Sequence, residues 1–126
     1  MNRLLIAAIF AFAAPVAAAD AASSAKDLAR CQAMSATFKP KQEEIAELKD
    51  ARDAQAEVVE TKGEDWDDVE VLRNASRKNA KAADEAKADY EAAKADLLRM
   101  ELGLQEAVKA LNADFDAYNQ TCATKK

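Results

Sequence analysis

Cys31 and Cys122 are the only cysteines and the side chains most able to do chemistry. Three fates compete for them. The first is a lipid: Leu28-Ala29-Arg30-Cys31 is one residue away from a lipid-attachment box. That chemistry needs a small residue before the cysteine and a position just behind an apolar leader. Here charged Arg30 precedes it, and Lys26 and Asp27 intervene. The second is a reactive thiolate, which needs an activating neighbour such as His. The chain has no His, and Arg30 alone is a weak substitute. The third is a disulfide, the usual state of a cysteine pair in an exported chain. Whether it closes within one chain or between two depends on where the chain reverses.

The absence of His also removes the commonest general base, the Ser-His and Cys-His nucleophile pairs and the commonest metal ligand. Carboxylate pairs such as Glu43-Glu44 and Asp67-Asp68 are plentiful. On long helices such pairs form solvated faces among Lys and Arg, and catalysis by two carboxylates needs a cleft. Enzymatic activity, a cofactor and a metal are therefore not expected. Glu64 to Asp68 gathers four acids around the single Trp, Trp66. A calcium loop would need alternating ligands, a central Gly and a distal Glu, and this stretch lacks that pattern. Trp66, Asp67 and Asp68 remain candidates for contact with a protein partner. Against that stands Trp66 as a packing residue alongside Val69 and Leu72.

The elements that position these residues begin with a leader. Arg3 is followed by apolar Leu4 to Ala14, a breaking Pro15, and small Ala17-Ala18-Ala19. That order predicts a signal peptide over 1–19 and one domain over 20–126, periplasmic or secreted. Removing Arg3 turns 18 basic and 23 acidic residues into 17 and 23, so the net charge goes from −5 to −6. An acidic chain is repelled by phosphate backbones and anionic lipid heads. Nucleic-acid binding is not expected, nor is membrane insertion after cleavage.

Ala, Glu, Lys, Asp and Leu dominate, with two Gly and two Pro in the whole chain. Such a composition predicts long helices or coiled coil. Residues 83, 86, 90, 93, 97, 100, 104, 107, 111, 115, 118 and 122 step by three and four, a seam that must be buried against another helix. Upstream, Leu28, Cys31, Met34 or Ser35, Phe38, Ile45 and Leu48 share a stripe, which Ala51, Ala54 and Val58 continue with smaller side chains. Pro40 either kinks this helix or opens a new one at its first turn.

"TKGEDWDD" reads as the strongest break, its acids crowding at a helix start where the dipole is positive. Behind it, Trp66 to Ala75 would form a short helix. The rival reading is one uninterrupted helix from Asp65 to Thr121. Reversal at Gly63 would pair residues whose numbers sum to about 127. It would leave Leu97 to Tyr118 facing another chain. Reversal near Ser76 gives sums near 153, matching large residues with large and small with small, as close packing requires. Cys31 and Cys122 then meet.

The second arrangement is preferred. The fold expected is all-α: a long antiparallel helical hairpin, coiled-coil-like, with room for a short helix at the tip. Its arms of about 45 residues make a rod on the order of 65 Å. A monomer is favoured, with a homodimer as the alternative. The function expected is a non-catalytic exported coiled-coil protein with a structural or protein-interaction role and an unidentified protein partner. Alternatives are a periplasmic chaperone or stress adaptor, and a small inhibitor or ion-binding protein.

Overall fold

The computed structural model of the chain describes residues 21–123. The signal peptide expected over 1–19 lies outside them. Three α-helices follow in order: α1 (Ala21–Ala36), α2 (Phe38–Glu70) and α3 (Arg77–Tyr118). A 3-10 turn over Arg73–Ala75 lies between α2 and α3, and a π turn over Asn119–Ala123 ends the chain described. There are no strands among the described residues.

Helices α2 and α3 run antiparallel, and the contacts between them fix the register. Phe38 meets Phe115 with ring centroids 4.4 Å apart, Gly63 meets Tyr90, and the sulfurs of Cys31 and Cys122 are bonded. Each of those pairs sums to 153, so the reversal falls near Ser76. Gly63 does not break the chain. It lies inside α2, where a Cβ would come within 3.3 Å of the Tyr90 ring, so a bare backbone lets α3 approach.

The "TKGEDWDD" cluster is accordingly not a helix start. Its acids occupy the last turns of α2, the end where the dipole disfavours them. Trp66 explains the continuation: its ring lies 5.6 Å from that of Tyr90, and burying it requires α2 to run on. Trp66 to Ala75 is therefore no separate helix, and the uninterrupted helix from Asp65 to Thr121 is also excluded. The chain leaves α2 at Val71 and turns through Arg73–Ala75. It re-enters helix at Ser76, whose extended backbone (φ −164°, ψ 162°) places its Oγ to accept the Asn79 N–H at 3.1 Å.

Pro40 takes the second of its two options. Thr37 separates α1 from α2, and its Oγ1 and N–H both donate to the Met34 carbonyl, at 2.8 and 3.2 Å. Pro40 is the third residue of α2, where the N–H it lacks would have had no helical partner.

The first-arm stripe needs one correction. Leu28, Ala51, Ala54 and Val58 are exposed. The inward positions after Leu48 are Arg52, Gln55, Val59, Lys62 and Trp66, which keep the three-four rhythm from Cys31 without a slip. Hydrophobicity drew the sequence reading one residue aside, because several seam positions here are polar. Each of those positions makes a specific contact. Lys41 pairs with Asp114, Arg52 lies 3.8 Å from Glu101, Gln55 donates to the Ala93 carbonyl at 3.1 Å, and Lys62 lies 3.9 Å from Asp89. Among the described residues only Ala83 (0% exposed), Ala93 (7%) and Leu111 (7%) are buried, so the core between the helices is thin.

Candidate functional site

Two regions carry the residues singled out by sequence: the open end of the rod and its tip. At the open end, Cys31 on α1 and Cys122 in the π turn form a disulfide with Cα atoms 5.8 Å apart. The link bridges 91 positions. It sits beside an aromatic cluster in which Phe38 touches Phe115 and also Tyr118, at 5.4 Å and edge-on. Both cysteines are consumed as a clasp, so neither is a free thiol or a lipid acceptor.

At the tip, Trp66 does not project outward. It is half-buried, its Nε1–H donates to Glu70 Oε2 at 3.2 Å, and Lys87 Nζ stands 5.5 Å from its ring centroid. Glu70 is gripped on both oxygens by Arg73, with Nε 2.7 Å from Oε1 and Nη2 2.9 Å from Oε2. Arg73 also gives Nη1 to Asp84 at 2.8 Å. One guanidinium thus ties the end of α2, the turn and the first turns of α3 together. A planar fork of donors suits this task. The Arg73 hydrogen bonds hold the Glu70 carboxyl below the usual carboxylate range, and the Trp66 N–H adds to the effect. The paired carboxylates of Glu70 and Asp84 raise the Arg73 guanidinium above its ordinary value.

Asp67 and Asp68 are exposed on the outer side of α2, and the structure does not gather them with Trp66 into one site. Among the described residues no three His, Cys, Asp or Glu side chains group so as to hold a metal ion. Sequence reasoning missed the network of Glu70, Arg73 and Asp84. The three-residue spacing of Glu70 and Arg73 was its legible signal. It also passed over Val71 and set Leu72 among the residues packing with Trp66, whereas Trp66 lies against Tyr90 and, at the point of reversal, Val71 is 82% exposed and Leu72 54%. The Glu70–Arg73–Asp84 network and the two exposed apolar side chains thus lie next to one another at the tip.

Between the ends, the depressions along the rod are open grooves. One runs along α3 past Leu104, Val108 and Asn112. The other lies at the α1–α2 joint beside Met34, Phe38 and Lys41. No described helix is long and apolar enough to cross a membrane. The fold and its ends define a disulfide-clasped, two-armed helical rod. No protein-family model, curated protein or solved structure matches the chain.

Proposed function

We propose that this chain is an exported, non-catalytic hairpin that serves as a structural or protein-interaction element, periplasmic or secreted, and engages its partner through the tip. One observation carries the reading: the chain's two cysteines are spent on a clasp joining the ends of a rod. Such a bond persists in oxidising compartments and is rare where thiols are kept reduced. The leader-like residues 1–19 support the same location. A rod with open grooves suits protein contact better than enclosure of a small substrate.

Val71 and Leu72 supply apolar contact at the tip, flanked by exposed Asp67 and Asp68. Arg73 ties the turn to both arms through Glu70 and Asp84, and Trp66 packs on Tyr90 close by. The test is photo-crosslinking in cells from positions 67 and 71, with position 57 on the outer face of α2 as control. One discrete adduct from the tip positions supports the reading. A smear of many adducts would instead indicate a client-holding chaperone, which should also suppress aggregation of an unfolded protein.

A further inference from the structure

The Cys31–Cys122 bond lies outside the packed hairpin rather than within it. Phe38, at the start of α2, packs on Phe115 and on Tyr118, the last residue of α3, with ring centroids 4.4 and 5.4 Å away. That aromatic cluster closes the α2–α3 seam at its open end. Beyond it, among the described residues, stand only α1 and the π turn over Asn119–Ala123, and the bond joins those two.

Helix α1 has a slender footing. Of positions 24–36, only Asp27, Cys31 and Met34 are other than exposed, and none of the three is buried. Apart from the bonded cysteine, Met34 is the one apolar side chain of that row, and Leu28 is 60% exposed. A helix of 16 residues is marginal in water when so little of it is packed. Its joint to α2 is weak as well. Pro40 has no N–H to give the Ala36 carbonyl four residues back, so one hydrogen bond that would knit α1 to α2 is missing. Both Thr37 donors turn back on the Met34 carbonyl instead.

We propose that the bond is a redox latch: when a dithiol reductant opens it, α1 and the π turn undock about Thr37 while the α2–α3 hairpin stays closed. A thiolate of the reductant attacks one sulfur of the bond, and the other cysteine leaves as a thiolate. The reductant's second thiol then resolves the mixed disulfide. Two electrons and the reductant's two thiol protons pass to the pair, so the reductant ends as a disulfide and Cys31 and Cys122 as thiols. Both cysteines are half-buried rather than sealed, and a disulfide open to attack is the labile kind. Oxidised, the rod is one clasped unit. Reduced, it carries a loose arm at the end away from the tip. No tip residue takes part, so this inference and the tip reading fail separately.

The experiment is backbone NMR on the full chain, well below the melting midpoint of its reduced form. Three samples are compared: oxidised, reduced with dithiothreitol under native conditions, and Cys31→Ser/Cys122→Ser. Reduction should remove more than about half of the helical carbon shifts at positions 24–36. Positions 41–70 and 77–115 should keep theirs. The double variant should match the reduced chain, and glutathione disulfide should restore α1. Pro40→Ala, which returns the missing N–H, should leave α1 of the reduced chain measurably more helical. Any of four results would overturn the proposal. They are a bond that dithiothreitol opens only after unfolding, an α1 that stays helical once reduced, a loss of helix spread through α2 and α3, or a reduced α1 indifferent to Pro40→Ala.

Discussion

Reduction of the Cys31–Cys122 bond should cost this fold much of its stability. The bond spans 91 positions. On the chain-entropy relation, a closed loop of that size removes about 15 cal/mol/K from the unfolded ensemble, or about 4.6 kcal/mol at 25 °C. The native state offers little to offset the loss, with Ala83, Ala93 and Leu111 its only fully buried residues among those described. For a chain of about 100 ordered residues, unfolding entropy near the midpoint is about 0.2 kcal/mol/K, so the melting midpoint should fall by about 20 °C. The assay is thermal unfolding followed by circular dichroism, on oxidised chain, dithiol-reduced chain and the Cys31→Ser/Cys122→Ser double variant. The latter two should agree. A reduced chain melting within about 5 °C of the oxidised one would refute the claim that the clasp dominates stability.

Other perturbations probe single contacts. Gly103→Ala should stabilise the chain by about 0.5–1 kcal/mol through helix propensity, measured by urea unfolding. Gly63→Leu should destabilise it by about 1–3 kcal/mol, because the new side chain strikes the Tyr90 ring. Ser76→Ala should cost about 1 kcal/mol by removing the cap on the Asn79 N–H, with faster hydrogen exchange confined to the first turn of α3. Glu70, held below its ordinary value of 4.5, stabilises the fold above that pH, and its contribution disappears as pH falls through the lowered folded value. Carbon-detected NMR titration should show Arg73→Gln returning the Glu70 carboxyl toward its ordinary range and weakening the acid-side loss of stability.

Much of this fold is legible in the sequence, because a three-four apolar rhythm has one physical meaning: a face that must be covered. That rhythm placed most of the α3 seam, with Met100 left exposed as the exception, and, with the matching of large to large residues, brought Cys31 to Cys122. It failed between Leu48 and Trp66, where Arg52, Gln55 and Lys62 occupy inward positions. Their long stems reach across the seam and their polar ends find partners, which no count of apolar residues reveals. Gly63 misled for a related reason. A glycine signals a break when nothing presses on it and a close approach when an aromatic ring does, and Tyr90 is remote in sequence. The acids at 64–68 pointed to a helix start because local electrostatics favours one there. The burial of Trp66 against Tyr90 outweighed that preference. At the tip, Glu70 and Arg73 were recognisable as a helical pair, but the link onward to Asp84 exists only once the chain has turned.

The antiparallel register is tested most directly by the distance between positions 46 and 106, both exposed and on opposite arms. Spin labels carried by non-cysteine amino acids, read by dipolar electron resonance in dilute oxidised chain, leave the clasp intact. With helix axes 8–10 Å apart and the labels' own reach added, the hairpin turning at Val71–Ser76 predicts a narrow distribution near about 20 Å. A reversal at Gly63 would slide the arms by some 25 residues and place the labels about 37 Å or more apart. A distribution centred at that longer distance would contradict the account.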